Sequence, residues 1–160
     1  MLRAAVLCAL SLPAWGQNTA VDDLVGEGVF GVKWNDGLEA VRAKLPDGER
    51  SELDRFVHWT VKDGRSVFDV ERRRRDRIQF AFLADRLGMV LLMFPACDEV
   101  VDALTKSLGP YDEMTPDPGR TAQRWNRGRW SGAKANIEAT QYYGDCLVTI
   151  WATRERLGLN

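Results

Sequence analysis

The chain is poor in the residues that carry most catalytic chemistry. It has one histidine, His58, and three cysteines among 160 residues. One histidine with scattered carboxylates lacks ligand spacing, so no metal site is expected. A glycine-rich phosphate loop, a nucleophile elbow and an HExxH stretch are all missing, and no cofactor is expected. Net charge is nearly missing too: 22 basic and 23 acidic side chains leave −1. Nothing in that balance calls for a polyanion such as nucleic acid. No run approaches the apolar length that crosses a bilayer as a helix.

What is present begins at the N-terminus. Arg3 precedes the apolar run from Ala4 to Leu12, then Pro13 and the small residues Ala14 and Gly16 flanking Trp15. This is the form of a secretory signal peptide over residues 1–16. The expected location is periplasmic or secreted. Cys8 would leave with the signal. Cys97 and Cys146 remain, an even pair in an oxidising compartment, and a disulfide between them is expected.

The strongest pattern is RIQFAFLADRLGMVLLMF, residues 77–94. Ile78, Phe80 and Phe82 alternate with Gln79 and Ala81; after the break Ala84-Asp85-Arg86, Leu87, Met89, Leu91 and Met93 again share one face. Two such runs read as a β-hairpin at the centre of an antiparallel sheet. Upstream, residues 17–28 are polar and expected to be flexible. Val29–Trp34 is a short strand. Asp36-Gly-Leu-Glu39 has the capping-box form and starts a helix carrying Leu38, Val41 and Leu45. Arg55–Val61 and Val67–Val70 read as strands. Asp98–Leu108 is a second helix with an apolar stripe of Val100, Val101, Leu104 and Leu108, stopped by Gly109-Pro110. Three more strands follow near 122–125, 130–140 and 147–153, with turns at Arg127-Gly128 and Gly144-Asp145, and residues 155–160 are a tail.

Helix then strands, twice, predicts one α+β domain over residues 29–154. It would have an antiparallel sheet of about seven to eight strands with two helices packed on one face. The layout allows an α-β pseudo-repeat. It resembles the helix-plus-strands units of the β-lactamase inhibitor protein and of the small outer-membrane assembly lipoproteins of Gram-negative bacteria. The helix ending Leu108-Gly109-Pro110 and the hairpin Phe80-x-Phe82 … Leu87 … Leu91 carry the resemblance, which spans most of residues 29–153. It implies protein binding without catalysis. No binding residue of those families can be placed here, and the lipobox of the lipoproteins is missing.

Three constellations invite a functional reading. Cys97 at a helix N-terminus with His58 as its base would make a nucleophile pair; the alternative is a disulfide cysteine and an outward-facing histidine. Arg72 to Arg75 form a basic run, read as a solvated turn. Trp125 and Trp130 lie in GRTAQRWNRGRW, where arginines interleaved with aromatics can hold anions and stack on rings. The other tryptophans past the signal, Trp34, Trp59 and Trp151, are expected in the core. Basic residues predominate in 64–97 and 120–160, acidic ones in 17–63 and 98–119. From that order the candidate binding surface is Arg124, Trp125, Arg127, Arg129 and Trp130. The resulting expectation is an exported binding or structural module of the cell envelope, whose partner is an envelope protein or an anionic envelope polymer. The rival class is a small secreted hydrolase-like enzyme with a site gathered from distant loops.

Overall fold

The computed structural model describes residues 18–73, 76–112, 124–142 and 144–159, and of 124–127 and 142 the backbone alone. The signal-like segment 1–16 lies outside them. The elements run α1 Thr19–Val25, β1 Gly28–Val29, β2 Val32–Lys33, α2 Leu38–Lys44, β3 Gly48–Leu53, β4 Phe56–Lys62, β5 Arg77–Leu83, β6 Arg86–Phe94, α3 Cys97–Leu108, β7 Arg124–Ser131, β8 Ala135–Tyr142 and β9 Asp145–Ala152. β1 and β2 form a small hairpin. The other seven strands make one antiparallel sheet in the order β3-β4-β5-β6-β9-β8-β7. The fold is α+β, as expected, with a third helix added.

The β5–β6 hairpin forms where expected, but its second strand does not keep Leu87, Met89, Leu91 and Met93 on one face: Leu87 is buried with Val90, Leu92 and Phe94, and the other three lie opposite, after a register shift at Ala81/Phe82. Ala84 and Asp85 both have positive φ, 50° and 58°, as a two-residue turn between twisted strands requires. Each of two helices precedes a meander, α2 before β3–β6 and α3 before β7–β9. The two meanders meet where β6 pairs with β9.

Register turns the alternation into two faces. Trp59, Phe80, Val90, Ile150, Ile137 and Trp130 are successive cross-strand partners from β4 to β7. All six are buried, and this row is the spine of the core. α1 and α3 contact β8, and α3 also meets β7 and β9; Val100, Leu104 and Leu108 supply its buried stripe. Over the other half of the sheet the cover comes from turns. Phe30 packs edge-on against Phe80 and Phe68 stacks on Phe94.

Three buried tryptophans share one job. The indole N–H of Trp34 donates to Val25 O at the end of α1 (2.8 Å), that of Trp59 to Leu45 O at the end of α2 (2.9 Å), and that of Trp130 to Gly109 O at the end of α3 (2.9 Å). Helix C-termini leave carbonyls without intrahelical partners, and a buried indole needs an acceptor. Each pairing satisfies both needs. At Gly48 the Trp59 ring comes so close that an added Cβ would lie 2.4 Å from it, so the start of β3 requires glycine.

Several expectations change. The flexible segment 17–28 holds α1, whose Val21 and Val25 are buried. Asn18 caps α1 by accepting from Ala20 N and ties it to α3 by donating to Leu108 O at 2.6 Å. The Asp22 carboxylate accepts from the backbone N–H groups of Ala133, Lys134 and Ala135. At α2 no capping box forms. Asp36 accepts from Lys33 N and Lys44 Nζ instead, and Asp85 accepts from Leu38 N. Val67 and Val70 make a single bridge rather than a strand. Arg127-Gly128 marks a bulge inside β7, not a turn. In the tail, Leu157 packs against the core and Arg156 pairs with Glu27.

Arg72 is the largest departure within the basic run. Its guanidinium is buried and donates to Met93 O, Asp63 O and Arg77 O at 3.1, 2.8 and 2.7 Å. Burial pulls its pKa down, and Asp76 and Asp63 oppose that pull. Arg73 bridges Asp76 and Asp145, while Arg74 and Arg75 lie outside the described residues. The run as a whole is expected to be a solvated turn; Arg72 is instead a tether from the β4–β5 connection to β6.

Candidate functional site

The open face of the sheet is the candidate site. It is built from the strand residues that alternate with the core row. On β6 these are Met89, Leu91 and Met93, all half-buried; on β9, Leu147, Thr149 and Trp151. Register places Met93 beside Leu147, Leu91 beside Thr149 and Met89 beside Trp151. An apolar band therefore crosses the two central strands. β5 adds Gln79 next to Leu91, and β8 adds Glu138 next to Thr149.

Two troughs lie end to end along this band. One, of about 410 Å³, runs from Glu49 and Arg50 on β3 across Thr60 and Gln79 to Leu91. The other, of about 440 Å³, runs from Leu91 across Trp151 to Glu138. Leu91 and Leu147 line both. Ligand sites are commonly concave and mainly apolar with a few placed polar groups, in this size range.

The candidate contact set is split by strand period. Arg129 is on the open face, where it pairs with Glu138 at 2.6 Å and sits 5.4 Å above the Trp151 ring. Trp130, the next residue, points the other way and is wholly buried, with Tyr111 edge-on against it. It belongs to the core and cannot be part of an exposed contact set. The side chains of Arg124, Trp125 and Arg127 lie outside the described residues. Trp151, expected in the core, is half-buried on the open face.

The proposed nucleophile pair is not assembled. Cys97 and Cys146 have Sγ atoms 2.09 Å apart and Cα atoms 4.7 Å apart, at disulfide distance. His58 alternates with the core residue Trp59 and so belongs to the opposite face. It does not face out, however: it is 9% exposed and its Nδ1 has no hydrogen-bond partner. The Phe56 ring packs at 6.2 Å from it. Burial pushes its pKa below the ordinary value. Neither trough is lined by His58. Among the described residues no group of three or more His, Cys, Asp or Glu is placed to hold a metal ion, and none of their helices is long and apolar enough to cross a membrane.

Sequence reasoning missed this face because its central residues are apolar. Met89, Leu91 and Met93 satisfy the same alternation as the core row, and composition alone does not say which side of a strand will be covered. No family model, curated protein or solved structure matches the chain.

Proposed function

We propose that the protein is an exported binding module of the cell envelope that holds a protein partner against the open face of its sheet. The observation that carries this reading is the pair of continuous troughs over a half-covered methionine, leucine and tryptophan band. Methionine and leucine side chains adapt their shape to a partner's apolar segment. Polar groups of both signs, Glu49 and Arg50 at one end and Glu138 and Arg129 at the other, would set its direction. Export is supported by the signal-like N-terminus and by the cysteine pair at disulfide distance, which suits an oxidising compartment. A protein partner is favoured over an anionic polymer. Trp130 is withdrawn into the core, and the charge of Arg129 is already answered by Glu138.

Site-specific photocrosslinking tests the reading. A photoreactive residue at Thr149 should capture one defined envelope protein, and Leu147→Asp should abolish that capture. The same residue at Glu39, on the exposed outer face of α2, should capture nothing specific. Equal capture from Thr149 and Glu39, or capture that survives Leu147→Asp, would remove the open face as the binding surface.

A further inference from the structure

A second cavity lies on the other side of the sheet, away from the troughs. It has a volume of about 440 Å³ and sits between the β1–β2 hairpin and the Val67–Val70 turn. Its floor is Ile150, a member of the buried core row, and its walls include Val25, Val29, Phe30, Val67 and Phe68. Leu24 stands on the rim at 46% exposure. The cavity opens to solvent through apolar side chains.

Two-residue turns flank it, Phe30-Gly31 between Val29 and Val32 and Phe68-Asp69 between Val67 and Val70. Phe30 and Phe68 both have positive φ, 54° and 58°, as such turns require. Each turn thus holds a phenylalanine at a position that more often carries glycine or asparagine. The two turns drive their rings onto Phe80 and Phe94 respectively. The space between the turns is left open instead of being filled.

Charge at the mouth gives the ligand a polarity. Lys33 lines the cavity together with Glu27, and its charge also helps to lower the pKa of Asp36. The Arg65 guanidinium lies 5.8 Å over the Phe30 ring and is paired with Asp63. The carboxylates nearby are already engaged. Glu27 is held by Lys134 and Arg156, and Asp36 by Lys33 N and Lys44. The cations around the rim, Lys33, Lys44, Arg65, Lys134 and Arg156, outnumber the carboxylates Glu27, Asp36 and Asp63, so the rim is net cationic.

We infer that this cavity is a binding site for a single-chain amphiphile with an anionic head, a long-chain carboxylate, whose tail lies between Phe30 and Phe68 toward Ile150 and whose head meets Lys33. The site is independent of the open face, and its occupancy does not require a partner there.

Isothermal titration calorimetry of the purified chain with carboxylates from decanoate to myristate, below their micelle concentrations, tests the inference. One carboxylate should bind per chain, about fourfold tighter for each added methylene until the cavity is full. Tetradecyltrimethylammonium should bind more weakly than myristate. Lys33→Glu should weaken myristate about tenfold, a change of about 1.4 kcal/mol, and leave tetradecanol unchanged. Val67→Trp, which fills the cavity, should abolish binding. Leu24→Asp, at an exposed position that leaves the fold intact, should weaken it, and Leu147→Asp on the open face should not. No saturable binding at any chain length would overturn the inference. So would myristate binding that is unaltered in folded Leu24→Asp and Val67→Trp, or a cationic head bound as tightly as the anionic one.

Discussion

Strand β6 puts two apolar rows back to back. Val90, Leu92 and Phe94 are fully buried under turns and helices, while Met89, Leu91 and Met93 are half-buried on the open side. In an antiparallel sheet with one solvated face the outward row is expected to be polar. Here it is apolar on both sides, and the rows differ in stiffness. The closed side uses branched and aromatic side chains that fit one packing. The open side uses two unbranched methionines around Leu91, with Trp151 beside Met89. The lesson is that the two faces answer to different demands, one to a fixed core and the other to contacts that the chain does not complete by itself.

The comparison can be broken most severely in the core. Phe80→Ala should cost about 3–5 kcal/mol of unfolding free energy, while Leu91→Ala should cost less than about 1 kcal/mol. Urea unfolding of both variants measures this, and equal losses would mean that the open row is as much core as the closed one. The cysteine pair anchors the closed side, joining the first residue of α3 to β9. With the pair oxidised, replacing both cysteines with serine should cost about 2–4 kcal/mol in the same assay. Two thiols that react freely in protein purified under oxidising conditions would remove the expectation.

The tryptophans sharpen the contrast at a smaller scale. Trp130→Phe strands the Gly109 carbonyl at the end of α3 and should cost about 1–3 kcal/mol. Trp151→Phe, on the open face, should stay within about 0.5 kcal/mol. A reversed order would show that the open-face ring is structural. The smallest effect is the pH dependence from His58. Burial lowers its folded pKa, so the unfolded chain binds the proton more readily. The stabilising contribution is therefore fully present above the unfolded value of about 6.5 and is lost as pH falls through that value and the lower folded one. The urea midpoint should decline as pH drops through this window, before the carboxylates titrate, and His58→Gln should flatten the decline. A wild-type midpoint that is level there would mean that His58 protonates without penalty.

Legibility followed locality. The β5–β6 hairpin, α3 and the pairing of Cys97 at the start of α3 with Cys146 in β9 could be read because each rests on a short-range pattern or on residue type. β3 could not, since Gly48–Leu53 carries no apolar alternation; it exists because the edge of β4 offers unpaired backbone groups that a polar segment can satisfy once Gly48 makes room for the Trp59 ring. α1 could not, since seven residues do not hold a helix in water. Its support comes from the Asn18 cap, from Asp22 gripping the β7–β8 turn and from Val21 and Val25 inside the core. Arginine is usually a surface residue; three backbone carbonyls, from Arg77 nearby to Met93 on the next hairpin strand, draw Arg72 inside. Of the candidate contact residues, period alone separates Arg129 from Trp130, but only the register says which of the two meets solvent.

By itself the sequence determined the α+β class, the central hairpin, part of the apolar core such as Phe80, Phe82 and Leu104, and which cysteines face each other. Those follow from side-chain period and turn chemistry, which act over a few residues. The tertiary structure alone decided that β6 would pair with β9 and that one apolar row would be roofed while its opposite stayed open. It also decided that three indoles would cap three helices and that a cavity would remain between Phe30 and Phe68. These depend on backbone and side-chain groups far apart in the chain satisfying one another, and no local pattern encodes a partner it has not yet met.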